Sequence, residues 1–304
     1  MKNTIDHEQR IHQVIRFIEQ HYTEELPLSM LAEKANYSSF HFQRIFKNIV
    51  GETPKQYINR LRLEGASHYI VLTSNTTIIE VAFMFGFTSL EAFSRAFKNY
   101  YRVSPDKFKR SNDEERLLII QEKTKSEAQK NIDPTSFLRE HLQDLSAEQD
   151  VAVVKHYVKN VIYIQGTLKD EETILAAHDR IRQWAEARDL IKKDTEYFGL
   201  MRDYPLFTSL DKCRYYACVT VESRPPLSDE INFLEMPAGT YATFTVRGGI
   251  NELIKSVTRF AHHWLPESGY EIQHIPAILH PVNNIISRPL HDNTYQFYLG
   301  IKPK

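Results

Sequence analysis

The chain has 304 residues, more than one hydrophobic core commonly organises, and its 42% hydrophobic and 25% charged residues are ordinary for a globular protein. No run approaches the roughly 18 uninterrupted apolar residues of a membrane span, and Met1 to Arg10 is polar rather than signal-like, so two domains in the cytoplasm, away from any membrane, are the expectation. The net charge of −1 hides an asymmetry: residues 1–111 hold 15 Lys plus Arg against 11 Asp plus Glu, and the remainder 23 against 28.

Residues 1–110 show almost no alternation of a strand. Apolar side chains recur instead at helical spacing, in Ile11, Val14, Ile15 and Ile18 and again in Leu28, Leu31 and Ala35. Turn chemistry breaks this pattern at Pro27, Asn36 to Ser39, Gly51 to Pro54, Thr73 to Thr76 and Ser104-Pro105, which predicts seven helices. Residues 111–150 are rich in Glu, Gln, Lys and Asp and read as a partly helical linker. From residue 151 onward, β-branched and aromatic residues predict strands over 151–158, 161–166, 214–221, 240–246 and 295–301. Helical segments over 171–188 and 250–264 lie between them, so an α+β domain of two related halves is expected, each with one helix on an antiparallel sheet. Cys213 and Cys218 sit at odd spacing on one predicted strand, which puts them on opposite faces as reduced thiols.

The first domain contains a repeat. Ala32-x-x-x-Asn36-Tyr37-Ser38-Ser39 returns fifty residues later as Ala82-x-x-x-Gly86-Phe87-Thr88-Ser89. After a one-residue slip, Phe42, Arg44, Phe46, Lys47, Asn48 and Thr53-Pro54 match Phe93, Arg95, Phe97, Lys98, Asn99 and Ser104-Pro105. Each unit reads as a short helix, a tight turn at Asn36 or Gly86, and a second helix capped by a serine: a helix-turn-helix. Phenylalanines at i and i+4 turn inward, leaving Ser39, His41, Gln43, Arg44 and Lys47 outward. Arg pairs with guanine and Gln with adenine in the major groove, whereas Lys47 and Lys98 suit phosphates. A spacer helix over residues 53–72, about 30 Å long, would set the two units near the roughly 34 Å repeat of successive major grooves, so one molecule could read an asymmetric site. Arg60 and Arg62 on the spacer, with Lys107, Lys109 and Arg110 beyond the second unit, are further expected phosphate contacts.

Over residues 8–110 the chain closely resembles the AraC/XylS family. The resemblance rests on the repeated unit, on Arg62-Leu63-Glu64-Gly65-Ala66 in the spacer and on the Gly86-Phe87 turn. Ser39-Phe40-His41-Phe42-Gln43-Arg44-Ile45-Phe46-Lys47 and Arg95-Ala96-Phe97-Lys98-Asn99-Tyr100 look especially like the MarA, SoxS and Rob branch. The resemblance implies base contacts by Phe40, Gln43, Arg44 and Arg95, double-stranded DNA as partner, RNA polymerase as a possible second one, and activation. The interface expected from residues and resemblance together is Ser39, Phe40, His41, Gln43, Arg44, Lys47 and Arg60 in the first part, with Ser89, Glu91, Ser94, Arg95 and Lys98 in the second. Two departures mark the second unit: Arg102 replaces the glycine equivalent to Gly51, and Leu90-Glu91 replace polar glutamines. Glu91 either accepts from cytosine N4 or weakens the approach to phosphates.

From about 151 to 304 the chain resembles GyrI-like effector domains, through Met236-Pro237-Ala238-Gly239-Thr240-Tyr241-Ala242, Trp264-Leu265-Pro266-Glu267-Ser268-Gly269-Tyr270-Glu271 and Gln296-Phe297-Tyr298-Leu299-Gly300-Ile301-Lys302. Multidrug-sensing members hold planar cations between aromatic rings, with a buried glutamate as counter-charge. That position resembles Gln296 here, and a neutral amide cannot offset a buried cation, so the effector is expected to be an aromatic or apolar small molecule, neutral or anionic. Gln296, Tyr298 and Gly300 share the strand face expected to line the groove, with Tyr163, Trp184, Tyr197, Tyr216, Tyr241 and Trp264 as candidate walls, each of which also suits ordinary core.

Two rivals to a ligand-controlled regulator fit the same residues. One is a small-molecule hydrolase using Tyr298 with Glu222, Glu235 or Glu271, although no catalytic motif is present and no enzyme is expected. The other is a protein-interaction module. The histidines, including His262-His263, His274, His280 and His291, lack metal-ligand spacing, so neither a metal nor a cofactor is expected.

Overall fold

The computed structural model describes residues 2–73, 76–124, 149–205, 207–227, 230–273, 275–283 and 292–304. The chain forms two compact units, Met1–Ile119 and Ile120–Lys304. Residues 125–148, most of the expected linker, lie outside the described residues, as do Ser74-Asn75 in the expected break and His274 and His291.

In the first unit, among the described residues, seven helices precede residue 111: α1 (Lys2–His21), α2 (Leu28–Lys34), α3 (Ser39–Val50), α4 (Pro54–Leu72), α5 (Ile78–Met84), α6 (Leu90–Tyr101) and α7 (Pro105–Arg110). An eighth, α8 (Asp113–Thr124), follows and runs across the division between the units at Ile119. The caps explain the boundaries. The Ser38 hydroxyl accepts from the His41 amide at the start of α3, and Ser89 does the same for Ala92 at α6. Reciprocal capping boxes open α4 (Thr53 with Gln56) and α5 (Thr77 with Glu80). The slip in the repeat has a physical origin: the capping serine is two residues after Asn36 but three after Gly86, so the second turn is one residue longer.

The turns also explain why Asn serves in one unit and Gly in the other. Both are left-handed, Asn36 at φ 56 and Gly86 at φ 76. A Cβ on Gly86, however, would lie 2.2 Å from the Thr23 carbonyl oxygen, so the second turn is pressed against the segment between α1 and α2. Phe42, Phe46, Phe93 and Phe97 are fully buried and form the core of their units, with Phe46 edge-on to Tyr57 of the spacer and Phe97 edge-on to Phe108 of α7.

The second unit holds β1 (Ala152–His156), β2 (Lys159–Thr167), α9 (Glu171–Glu186), β3 (Tyr197–Met201), β4 (Arg214–Thr220), β5 (Asn232–Met236), β6 (Gly239–Arg247), α10 (Ile250–Arg259), β7 (Tyr270–Ile272), β8 (Ala277–Pro281) and β9 (Thr294–Pro303). α10 runs on through a π-helical turn, Phe260–Trp264, into a short last turn, Leu265–Glu267. The strands form one antiparallel sheet in the order β1-β6-β9-β8-β3-β4-β2-β5, with β7 beside β9. The sequence pattern anticipated β1, β2, β4, β6 and β9; it missed β3, β5, β7 and β8, whose short apolar runs carry little alternation.

The strand order reads the same from both ends once β1, β2, β3 and β4 are exchanged with β5, β6, β8 and β9. The register agrees: Val161 pairs with Thr220 in one half and Tyr241 with Gly300 in the other, each residue 80 positions on. At the junction Gly199 pairs with Leu279, its own counterpart, so the pseudo-twofold axis passes through the β3–β8 pair. The edge strands are exchanged, β1 pairing with β6 and β5 with β2, which locks the halves together.

Chain connectivity forces the sheet to curl. Only Tyr157 and Val158 join β1 to β2, yet five strands separate them in the sheet order. A flat sheet would put them about 29 Å apart, whereas three extended residue steps reach about 11 Å. Pro237 and Ala238 impose the same constraint between β5 and β6. Both helices cover the outer face: the His178 ring of α9 meets the Tyr215 hydroxyl at 2.8 Å, and Phe244 of β6 stacks on Phe260. The other face is the inside of a trough.

Candidate functional site: a duplicated DNA-reading face and a ligand trough

On α3, Phe40, Gln43, Arg44 and Lys47 form one exposed stripe at i, i+3, i+4 and i+7, with Phe40 at 81% exposure. A phenylalanine so exposed at the start of a helix gains nothing from folding; it suits the edge of a base and its methyl group. Ser39 and His41 are half-buried beside this stripe, and the His41 ring stands edge-on to Tyr37. On α6 the equivalent stripe is Glu91, Ser94, Arg95 and Lys98, with Ser94 half-buried and the others exposed. Ser89 is spent on its cap. Hydrogen bonds to the helix N-terminus, the Glu91 amide before the Ser89 hydroxyl, hold the Glu91 carboxyl below its ordinary range, so Glu91 stands there as a carboxylate acceptor.

Both spacer arginines are corrected. Arg60 is 7% exposed and bound between carboxylates: its Nε donates to Glu52 at 2.9 Å and its Nη1 to Glu64 at 3.3 Å. Burial works against its charge, but Glu64 and Glu52 more than offset this and hold the guanidinium protonated. It has no free edge for a phosphate. Arg62 donates to three main-chain carbonyls, Tyr22 and Glu24 at 2.6 Å each and Gly86 at 2.8 Å. It therefore ties the end of α1 to the turn of the second unit through the spacer. Tyr100 of α6 donates to Glu64 at 2.7 Å and completes the link. Spacing alone could not distinguish these strut arginines from phosphate contacts, because their partners come from residues up to 40 positions away.

In the second unit, directly paired residues of an antiparallel sheet point to one side, so each candidate can be placed by register. Tyr216, Leu200, Ile278 and Tyr298 form a row across the junction on the trough face, and Tyr163, Tyr241 and Gln296 lie on the same face. Tyr163 and Tyr216 stack with centroids 4.5 Å apart and planes at 13°. Gln296 exchanges hydrogen bonds with Thr243 (3.2 Å) and Thr245 (3.0 Å). Three candidates are corrected. Trp184 lies on α9 under the Arg188 guanidinium, and Trp264 stacks between Phe260 and Tyr270, both on the helix side. Tyr197 pairs with Val219, whose side chain also faces the helices.

Sequence reading missed the polar centre of the trough. Glu196, one residue before β3, takes both oxygens to Lys159 Nζ at 2.7 and 2.6 Å, and lies 3.6 Å from His280 Nε2. His280 and then Lys159 hold its carboxyl down to about 2. Burial, and next the charge of Lys159, lower the pKa of the His156 ring; that ring stands edge-on to Tyr298 at 4.8 Å and to Tyr241 at 5.2 Å. Burial and the nearby Glu196 raise the Tyr298 hydroxyl above its ordinary range. The carboxylate whose charge acts on Tyr298 is therefore Glu196. Glu271 is instead paired with Lys302 at the β7 edge, Glu222 is exposed beyond β4, and Glu235 points away from the trough. The strand β3 that carries Glu196 into place was itself invisible to the pattern, which is why the residue escaped.

Among known proteins, a helix-turn-helix domain model matches residues 31–111 and a GyrI-like small molecule binding domain model matches residues 150–284. The chain is 33% identical over 102 residues to the multiple antibiotic resistance protein MarA of Escherichia coli (strain K12), covering 34% of this chain and 80% of MarA. It is 31% identical over 112 residues to the HTH-type transcriptional activator AarP of Providencia stuartii, covering 37% of this chain and 82% of AarP. It is 33% identical over 103 residues to the transcriptional regulator Rob of Salmonella typhimurium, covering 34% of this chain and 35% of Rob. No described helix is long and apolar enough to cross a membrane.

Proposed function

Because the chain belongs to the MarA and Rob branch of the AraC family, with a GyrI-like domain on the same polypeptide, we propose a transcription regulator that binds DNA through two recognition helices and is modulated by a small molecule in its trough. The DNA-binding part is assigned to residues 1–110, the effector-binding part to 151–304, and residues 111–150 join them. The observation that carries this reading is the exposed stripe of α3, repeated in α6 with Arg44 matched by Arg95 and Lys47 by Lys98. Arg44 and Arg95 read base edges, Gln43 and Phe40 add adenine and thymine-methyl preference in the first half-site, and Lys47 and Lys98 neutralise phosphates. Ser39, His41, Ser89 and Ser94 flank the stripes, and Glu91 gives the second half-site a preference for a cytosine N4 donor.

In the trough, Tyr163, Tyr216, Tyr241, Gln296 and Tyr298 contact the effector, joined by His156, His280 and Glu196. Effector binding changes DNA occupancy or contact with RNA polymerase, and the sign is activation, in keeping with the similarity to AarP. No hydrolysis is assigned to the trough: both oxygens of its carboxylate are bound by Lys159 and so are not free to act as a base.

The test is selection of bound duplexes from a random pool by the intact chain at fixed salt, with and without effector. A defined motif whose occupancy or transcription responds to effector is expected. Binding without a motif that merely weakens with salt would defeat the DNA-reading half, and saturating effector without any response would defeat the modulation.

A further inference from the structure

On the reading of the trough as the effector site, we propose that its ligand is an uncharged planar aromatic molecule with hydrogen-bonding groups at its edge, and that the Lys159–Glu196 pair sets this preference. The walls suit a flat π system. Tyr163 and Tyr216 stack on each other and form a buried aromatic floor, His156 stands edge-on to Tyr298 and Tyr241, and Phe198 lies parallel to the His280 ring at 6.2 Å and 16°. The edge groups available are the Tyr298 hydroxyl, the Gln296 amide and the Thr243 hydroxyl, all half-buried.

Charge is the discriminating feature. Glu196 is the carboxylate among these rings, and Lys159 already occupies both of its oxygens, with side-chain exposures of 25% for Lys159 and 34% for Glu196. Among the described residues that line the trough between these rings, an entering cation reaches the Glu196 carboxylate by displacing Lys159, and an entering anion reaches the Lys159 ammonium by displacing Glu196. Either leaves one member of the pair half-buried and unpaired. A neutral ligand leaves the pair intact. The pseudo-symmetry sharpens this: the positions 80 residues on from Lys159 and Glu196 are Gly239 and Pro276, so the other half supplies no second pair to which either charge could transfer.

The experiment compares three probes of one ring framework on the full chain: phenanthridine (neutral at pH 7.5), 5-methylphenanthridinium (cation) and phenanthrene-9-carboxylate (anion). The unaltered protein is expected to bind the neutral probe at least about tenfold more tightly than either charged one. Lys159→Met, which frees Glu196, should raise cation affinity about tenfold; Glu196→Gln, which frees Lys159, should do the same for the anion. The double variant should return to the neutral preference, and an unfolding transition of the second domain retained in each variant reports that this domain is folded. Equal binding of cation and neutral probe by the unaltered protein, or single variants with unchanged charge preference, would overturn the proposal while leaving the trough as the ligand site. Binding of phenanthridine that survives both Tyr298→Ala and Tyr216→Ala, or no binding of any probe to any variant, would overturn the site reading and the proposal with it.

Discussion

The two repeats of this molecule both keep their packing residues, but differ in how much of the functional face they keep. In the first domain the units share the buried phenylalanines and two positions of the outward stripe, Arg44 with Arg95 and Lys47 with Lys98; they differ at its other two, where Phe40 answers to Glu91 and Gln43 to Ser94, and in the turns, where Asn36 answers to Gly86. In the second domain the halves agree under the helices, where Trp184 answers to Trp264, Ile174 to Ile254 and Tyr215 to Tyr295, and differ along the trough, where Tyr163 answers to Thr243, Tyr216 to Gln296 and Cys218 to Tyr298. DNA offers the same groove and phosphate chemistry twice, one helical turn apart, so a reader gains by keeping its cationic contacts in duplicate while the remaining positions adapt to different bases. A single small molecule lying across a pseudo-twofold axis is not itself symmetric, so the face that meets it is free to differentiate. What stays duplicated in that domain is packing.

This comparison can be broken first at Arg62, the strut that makes the two helix-turn-helix units one body. Arg62→Ala removes three charge-assisted bonds to main-chain carbonyls, and a loss of about 3 kcal/mol from the first domain is expected in denaturant titration. A loss near zero would mean that the units hold together without it. The corresponding probe of the second domain is His178, buried against Tyr215, whose ring burial drives down to about 3 from an ordinary 6.5. A histidine with a depressed folded value contributes stability that is complete above about 6.5 and is lost as pH falls toward about 3. His178→Gln keeps a partner for the Tyr215 hydroxyl and should flatten the stability profile across that window by about 1 kcal/mol per pH unit. An unchanged slope would show that another group controls the acid response.

Arg102 sharpens the comparison at the level of the turn. It ends α6 at φ 64, where Gly51 ends α3 at φ 84. Arg102→Gly should therefore stabilise by about 1 kcal/mol, and Gly51→Ala should destabilise by a similar amount. The smallest expected effect is at Lys98: its replacement by alanine should lower the salt dependence of DNA binding by about one released counterion without altering the preferred sequence.

The helical domain was legible in the sequence because its signals are local: Ser38 and Ser89 cap within three residues, and Phe42, Phe46, Phe93 and Phe97 mark the buried face by spacing alone. The trough was legible only in part. Alternation on β9 placed Gln296 and Tyr298 correctly on one face, but Lys159, Glu196 and His280 come from three separate strand ends, and what unites them is the curl of the sheet. Tryptophan is an equally good wall or core residue by composition, so Trp184 and Trp264 could be assigned only once their helices were placed. The same limit applied to Arg60, whose outward-looking position in the sequence conceals two carboxylates folded against it.

The most direct test of the duplicated reader is to compare the motifs selected by Arg44→Ala and Arg95→Ala from one pool of duplexes at one salt concentration. The account predicts that each substitution relaxes a different half of the motif, by roughly 1 to 3 kcal/mol at its own base pair, with the halves about 10 base pairs apart. If both substitutions relax the same half, or if Arg95→Ala leaves the motif unchanged, the repeat is a structural duplication with a single reading helix, and the central claim fails.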